Sequence, residues 1–274
     1  MMKSSFSTLA CPGWNMSQII AAATEAGYEG IELRFVEGED SLWKLAAFSP
    51  AGIRFTKQAL SDEGLSISCV DTSCRFHSSD PAERSRWIAE GERMCGLAAE
   101  LGAPGIRVFG DAIQPGAVRA STQKWIADSI RALADRTQSQ PVEVWLETHG
   151  DFSTAAQTSE ILREVGSSRV AAIWDPVNSF VSQGERPCEG ASVLGRAIRH
   201  VHLKDVRRIG REWRYVLTGE GEFPLRELRD ALNQHDYNGF LSFEWEKKWH
   251  PEIEDAGIAL PHFAKWFREN YGHA

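Results

Sequence analysis

The chain has 274 residues, of which 42% are hydrophobic and 25% are charged. This composition is typical of a folded globular protein with a large core and excludes extended disorder. No apolar run approaches the roughly 20 residues of a membrane-spanning helix. The formal net charge of −8 argues against a nucleic-acid partner, because phosphates require a basic surface, and it favours a small-molecule partner.

The cysteines indicate the redox environment. The chain has five of them with no CxxC pair, so neither a zinc ribbon nor a disulfide framework is predicted. The segment from Lys3 to Leu9 is too short and too polar for the apolar part of a signal peptide. We therefore expect a cytoplasmic protein without membrane contact. The sequence is compatible with a homo-oligomer as well as with a monomer.

The first half of the chain alternates short β-type runs with helical patterns. Strands are predicted over residues 4–9, 30–34, 65–70 and 106–109, and helices over 16–27, 50–60, 81–101 and about 117–135. Pro50 and Pro81 suit first helical turns, and Gly27, Gly64 and Gly102 suit the ends of the first three helices. A unit of one strand and one helix therefore occurs four times.

The second half continues this alternation and interrupts it once. Strands are predicted over 142–147, 170–175, 199–205 and 240–244, and helices near 161–165, 189–198 and 224–232. A closing helix is expected to pack through Ile258, Phe263, Trp266 and Phe267. Residues 208–211 and 213–217 resemble the arms of a small hairpin. We predict this hairpin as an insertion after the seventh strand, at the ligand-binding end.

Eight strand and helix units favour either a closed barrel or an open doubly wound sheet. A dinucleotide-binding sheet needs a GxGxxG sequence after its first strand, and the chain has none there. The length fits the roughly 250 residues of a TIM barrel, and no repeat or linker divides it. We predict an α/β fold, a single (β/α)₈ TIM barrel that spans residues 1–274.

Four predicted strands end in residue types that bind divalent metals. They are Glu147, Asp175, His202 and Glu244, separated by 28, 27 and 42 residues, which corresponds to one unit, another, and one lengthened by the hairpin. Each alone is equally explained as a helix cap, but the carboxyl ends of parallel barrel strands meet on one face. Three carboxylates and one imidazole suit Mn²⁺, Mg²⁺ or Co²⁺ better than structural zinc. We predict that they bind one divalent ion, with Mn²⁺ first and Mg²⁺, Co²⁺ or Zn²⁺ as alternatives.

Five segments resemble the xylose-isomerase-like TIM-barrel family of sugar isomerases and epimerases. They are residues 146–149, 174–175, 200–205, 219–221 and 243–244, and the likeness spans essentially the whole chain. The resemblance to the ketose epimerases of that family implies that the four strand-end residues bind one Mn²⁺-type ion. It also implies that Glu147 and Glu244 transfer the substrate proton, and that Arg208, six residues after His202, helps to hold the substrate.

Other residues near the predicted strand ends are candidate substrate contacts. His149 lies two residues after Glu147, and His250 follows the last ligand, although a loop hydrogen bond explains each equally well. The epimerases usually have His and Glu where this chain has Asn178 and Ser153, so Asn178 is a candidate specificity contact. Less weight falls on three further residues at or just beyond strand ends, which are Glu32, His77 and Arg107.

The predicted function is a metal-dependent sugar isomerase or epimerase, in which a carboxylate takes a proton from carbon beside a carbonyl group. A dehydratase or lyase on a keto-inositol or 3-keto-sugar begins with the same proton abstraction and is the first alternative. An endonuclease IV-like phosphodiesterase is disfavoured by the acidic charge and by too few strand-end histidines for several zinc ions. A non-catalytic sugar-binding barrel is a further alternative.

Overall fold

Eight parallel strands form a closed barrel in the computed structural model, which describes residues 1–271. The strands in chain order are β1 (Lys3–Ser7), β2 (Gly30–Leu33), β3 (Ser66–Arg75), β4 (Gly105–Phe109), β5 (Glu143–Glu147), β6 (Val170–Trp174), β7 (Ile198–Leu203), β8 (Asp205–Ile209), β9 (Glu212–Val216) and β10 (Phe240–Phe243). β1 to β7 are neighbours in sequence order, and β10 closes the barrel between β7 and β1. β8 and β9 pair antiparallel outside it. The predicted TIM barrel with a hairpin after the seventh strand is confirmed.

Helices connect the strands and cover the outside of the barrel. In chain order they are α1 (Met16–Ala26), α2 (Gly52–Asp62), α3 (Pro81–Leu101), α4 (Arg119–Arg136), α5 (Ala155–Val165), α6 (Pro176–Gln183), α7 (Pro187–Leu194), α8 (Leu225–Gln234) and α9 (Ala256–Tyr271). Asn15 and Gln18 form a reciprocal capping box at the start of α1, and Thr154 and Gln157 form one at α5. Within residues 1–271, no helix combines the length and apolarity that a membrane span requires.

The connection between β6 and β7 differs from the predicted single helix over 189–198. Two helices, α6 and α7, occur here instead, and residue 198 already belongs to β7. Asp175 starts α6 by accepting the backbone N–H groups of Val177 and Asn178, with Pro176 at the first helical position. The predicted extent is wrong because Pro176 and Pro187 each begin a helix, in keeping with the preference of proline for the first helical turn.

The closing helix α9 departs from the prediction in its first turn. Phe263 and Phe267 are buried as expected, and Trp266 packs partly buried against them. The Ile258 side chain, however, is 57% exposed, while the neighbouring Ala259 is fully buried. The assignment of Ile258 to the core was therefore wrong, because the buried stripe of the helix passes through the adjacent residue.

The barrel interior has an apolar floor beneath its charged residues. Trp145 lies two residues before Glu147 on β5, so both side chains face inward. Trp145 clusters with three other buried side chains, which are Cys69 on β3 and Ala171 and Ile173 on β6. The charged interior residues therefore lie above this floor, toward the carboxyl ends of the strands, where TIM barrels carry their sites.

Candidate metal centre

Four acidic or imidazole side chains meet at the carboxyl end of the barrel. Glu147 is the last residue of β5, Asp175 follows β6, His202 lies in β7 and Glu244 follows β10. One oxygen or nitrogen from each lies within 4.8 Å of those of the others, and all four residues are buried. The structure thus brings the four side chains together, and metal binding by them stays a prediction.

One buried nitrogen of this quartet, Nδ1 of His202, lacks a hydrogen bond within residues 1–271, as expected of a metal ligand. Nδ1 lies 3.4 Å from Oε1 of Glu244 and 3.6 Å from Oε1 of Glu147, while Nε2 lies 3.1 Å from Oε2 of Glu32. When Nε2–H donates to Glu32, Nδ1 presents a lone pair to the acids. Three carboxylates and one imidazole nitrogen in this arrangement fit a divalent cation.

Lys204 places a positive charge beside the quartet. It lies two residues after His202 on the same inward face. Its Nζ lies 2.7 Å from Oδ2 of Asp175, 2.6 Å from Oε2 of Glu244 and 2.6 Å from Oε1 of Glu246. Burial disfavours the ammonium, but these three carboxylates outweigh it and hold the pKa of Lys204 well above its usual range. Lys204 therefore carries a permanent positive charge next to the site.

Arg107 supplies a second buried cation, from β4. Its Nη1 lies 3.0 Å from Oε2 of Glu147, 3.3 Å from Oδ2 of Asp71 and 3.4 Å from Oε1 of Glu244. The position of Arg107 near a strand end predicts no specific role from sequence alone. An arginine within an apolar strand is nevertheless a signal of buried acidic partners. Arg107 and Lys204 together offset part of the negative charge of the cluster.

The surroundings separate the acidities of the two glutamates. Burial raises the pKa of Glu244 to about 7, in spite of the positive charges of Lys204 and His202. Burial acts in the same direction on Glu147, but Arg107 and His202 outweigh it and hold the pKa of Glu147 well below its usual range. In the metal-free site, Glu147 is therefore ionised at neutral pH, whereas Glu244 is partly protonated.

A cavity of about 220 Å³ opens at the mouth of the barrel beside the quartet. Glu147 and Glu244 both line it, so a molecule in the cavity contacts both carboxylates. The other lining residues include charged groups of both signs and aromatic rings, and they are Leu9, Arg34, Arg75, Arg107, Phe109, Asp111, His149, Lys204, Glu246 and Trp249. This polar lining suits a small hydroxylated or charged substrate.

His149 is a predicted substrate contact that lines the cavity. Its Nδ1 lies 3.2 Å from Oδ1 of Asp111, and its ring centroid lies 4.8 Å from that of Phe109. Burial lowers the pKa of His149, but the nearby carboxylates of Asp111 and Glu147 outweigh it and raise the pKa. The imidazole is therefore oriented by Asp111 at the cavity wall.

The three other predicted substrate contacts lie outside the cavity lining. Arg208 is exposed on β8, with its guanidinium carbon 5.9 Å from the ring of a tryptophan on β9. The Asn178 side chain donates to the carbonyl oxygen of Thr148 at 3.1 Å, which ties α6 to the end of β5. His250 lies in the loop after β10 and packs edge-on against Tyr215. Their roles in substrate binding stay predictions.

The sequence matches a known protein family over most of its length. The family model described as the xylose isomerase-like TIM barrel matches residues 20–268. Among curated proteins, the inosose dehydratase of Geobacillus thermodenitrificans is 25% identical over an alignment of 244 residues, and the match covers 77% of this chain and 77% of that protein.

Solved structures share the fold at low sequence identity. The probable 3-DHS dehydratase AsbF from Bacillus anthracis matches with a TM-score of 0.79 and 21% identity, covering 98% of this chain and 100% of that one. D-Psicose 3-epimerase with D-tagatose from Clostridium cellulolyticum H10 matches at 0.80 and 16%, covering 100% of both chains. The IOLI protein with a binding zinc atom matches at 0.82 and 16%, covering 99% and 100%. Both epimerases and dehydratases therefore occur on this fold.

Proposed function

Because the chain belongs to the xylose isomerase-like TIM-barrel family, we propose that it is a divalent-metal-dependent isomerase or epimerase of a small sugar or sugar-derived carbonyl compound. The observation that carries the proposal is the buried quartet of three carboxylates and one imidazole at the barrel mouth. The polar cavity of about 220 Å³ beside it has room for such a substrate. The occurrence of a ketose epimerase among the similar structures supports the proposal.

The quartet would hold the ion through Glu147, Asp175, His202 and Glu244. Mn²⁺ is the first candidate, with Mg²⁺, Co²⁺ and Zn²⁺ as alternatives, because oxygen ligands dominate the set. When bound, a divalent ion would polarise a substrate carbonyl and its neighbouring hydroxyl and so acidify the C–H bond between them. The chain itself supplies the groups that accept and return the proton.

Two glutamates are proposed to transfer the proton. Glu147 and Glu244 approach the cavity from the ends of β5 and β10, with the substrate carbon between them. One carboxylate takes the proton, and the other returns it, to the opposite face of the carbon in an epimerase.

A dehydratase is the second candidate, and the two buried cations favour it. Lys204 and Arg107 lie beside the glutamates, where a positive charge stabilises an oxygen atom that leaves with its bonding electron pair. In this reaction a carboxylate takes the same proton, the β-hydroxyl leaves and gains a proton to form water, and a carbon–carbon double bond forms. The similarities to inosose dehydratase and 3-DHS dehydratase support this alternative.

Turnover in D₂O tests the proposal and separates the two candidates. Metal-loaded protein is incubated with ketoses, keto sugar acids, an inosose and 3-keto-sugars, and the products are analysed by mass spectrometry and NMR. Proton transfer by carboxylates predicts an isomerised product with deuterium at the reacting carbon, because carboxylates in an open mouth exchange with solvent. A product lighter by one water identifies the dehydratase. Retention of the original hydrogen would contradict the two-glutamate transfer, and no turnover of any compound would contradict the proposal.

A further inference from the structure

Arg34 lies at the barrel mouth, one layer above the interior charge cluster. It is the first residue after β2 and lies two residues after Glu32, so the two side chains share the inward face. Arg34 lines the cavity beside the quartet and is only 6% exposed. A guanidinium that is this deeply buried requires negative charge and hydrogen-bond acceptors around it.

The other two buried cations of the cavity are more fully compensated than Arg34. Lys204 contacts three carboxylates, and so does Arg107, whereas Arg34 has one distant ion-pair partner. Nη2 of Arg34 donates to Oγ of Ser73 at 2.8 Å, but its buried Nη1 has no hydrogen-bond partner among residues 1–271. The ion-pair partner Asp40 lies 3.8 Å from Nη1, which is beyond hydrogen-bond reach. Oδ2 of Asp40 instead accepts a hydrogen bond from Oγ of Ser73 at 2.6 Å.

The charges around Arg34 act in the same direction. Burial and then the repulsion of Arg107 lower the pKa of Arg34 to about 10, and the attraction of Asp71, Asp40 and Glu147 does not offset them. A purely structural ion pair with Asp40 would close to hydrogen-bond distance and supply the acceptor that Nη1 lacks. One further anion beside Arg34 would supply both the charge and the acceptor.

We propose that Arg34 binds a carboxylate of the substrate, so that the substrate is a keto sugar acid or a related carboxylated polyol rather than a neutral ketose. The inference rests on the proposed function, because it names the substrate class of the same site. A carboxylate matches the single charge and forked donors of one guanidinium. The carboxylate of Asp40, whose Oδ2 lies 3.8 Å from Nη1 of Arg34, would repel a phosphate dianion more strongly than a singly charged carboxylate. Arg75 also lines the cavity and is 44% exposed, so it adds positive potential where an anionic substrate would enter.

Binding of matched compounds tests this inference without turnover. The metal-loaded full chain is titrated calorimetrically with D-fructose and D-fructuronate, and with D-tagatose and D-tagaturonate, where each uronate has a carboxylate in place of one CH₂OH group. At least one uronate is expected to bind about 10-fold more tightly than its ketose, which corresponds to one charge-assisted hydrogen bond. Arg34→Gln should abolish the preference, and metal content measured in the same samples should remain at about one ion per chain, because Arg34 is not a member of the quartet.

Two further variants make the result specific to Arg34. Arg136→Gln removes an arginine that is 52% exposed on α4, and it should keep the full preference. Arg34→Lys keeps the charge but loses the forked donors, so it should retain part of the preference and guards against a folding defect in Arg34→Gln.

Three results would overturn the inference. The first is that neither uronate binds the wild-type protein more tightly than its ketose. The second is that the preference persists undiminished in both Arg34 variants. The third is tighter binding of D-fructose 6-phosphate than of D-fructuronate, which would assign the position to phosphate. The proposed function fails by different observations, namely absence of bound metal or of turnover.

Discussion

The carboxylate of Glu32 fixes the ring of His202, since its Oε2 lies 3.1 Å from Nε2 in the buried interior of the barrel. The same oxygen lies 2.5 Å from Nε2 of His200. In the neutral imidazole, an Nε2–H group that donates to Glu32 leaves Nδ1 of His202 unprotonated and facing Glu147 and Glu244. Glu32 therefore orients the neutral imidazole in the form that binds a metal.

Glu32→Gln is expected to weaken metal binding by about 10- to 100-fold, because an amide holds the imidazole less firmly in the ligand orientation. Titration of Mn²⁺ into the metal-free protein measures the change. Glu100→Gln, at an exposed position of α3, is the matched control and should bind as the wild type does. Equal affinities in Glu32→Gln and the control would show that Glu32 does not orient the ligand.

Lys204→Met is expected to destabilise the metal-free protein by about 3–5 kcal/mol, because three buried carboxylates lose their shared cation. Added metal should restore much of this loss, since it neutralises two of those carboxylates. Thermal unfolding with and without Mn²⁺ measures both effects. Lys124→Met, in an exposed pair with Asp128, should cost less than about 1 kcal/mol. A metal-induced rise in Tm no larger in Lys204→Met than in the wild type would refute this electrostatic role.

Glu147→Gln and Glu244→Gln are each expected to lower turnover by orders of magnitude, because an amide cannot accept the substrate proton. Both substitutions also remove a metal ligand, so the metal content is measured in the same samples and turnover is expressed per bound ion. Glu246→Gln is the control, because this residue also contacts Lys204 but is not a member of the quartet. Turnover per bound ion at the wild-type level in both quartet variants would exclude the two-glutamate transfer.

Metal affinity is expected to fall as the pH falls through about 7. Burial raises the pKa of Glu244 to about 7, and Glu32 and Glu244 hold the pKa of His202 above its usual range against the effect of burial. Both groups must lose a proton to bind an ion, so protons compete with the metal below this pH. Calorimetry from about pH 6 to about pH 8, in buffers of different ionisation enthalpy, measures the affinity and the protons released. A constant affinity without proton release would contradict this competition.

The fold and the quartet were predictable from the sequence for related reasons. Each of the four residues ends an apolar run, and the separations of Glu147, Asp175, His202 and Glu244 reproduce the length of a strand and helix unit. Parallel strands of one barrel bring such positions to the same face. The structure confirms the barrel, and one candidate ligand atom from each of the four side chains lies within 4.8 Å of those of the others.

The surroundings of the quartet were not predictable in the same way. Arg107 and Glu32 lie within strands, and a single sequence does not say which face of a strand turns inward. Side chains alternate between the two faces of a strand, so a residue two positions after a member of the quartet faces the same side as that member. Once the quartet is identified, this relation predicts which further residues surround it. His149, Lys204 and Glu246 satisfy this relation, and all three line the cavity. Arg208 and Asn178 were chosen instead by resemblance, and both lie outside the lining.

Elemental analysis of the protein purified without chelator tests the metal centre most directly. About one divalent ion per chain is expected, because three buried carboxylates at one barrel mouth need a cation beyond Lys204 and Arg107. His202→Ala and Glu147→Ala should each empty the site, because each removes a ligand atom outright, while Lys124→Met should leave it full. Full occupancy in both quartet variants, or a wild-type protein that binds no divalent ion even after Mn²⁺ is added, would contradict the metal centre.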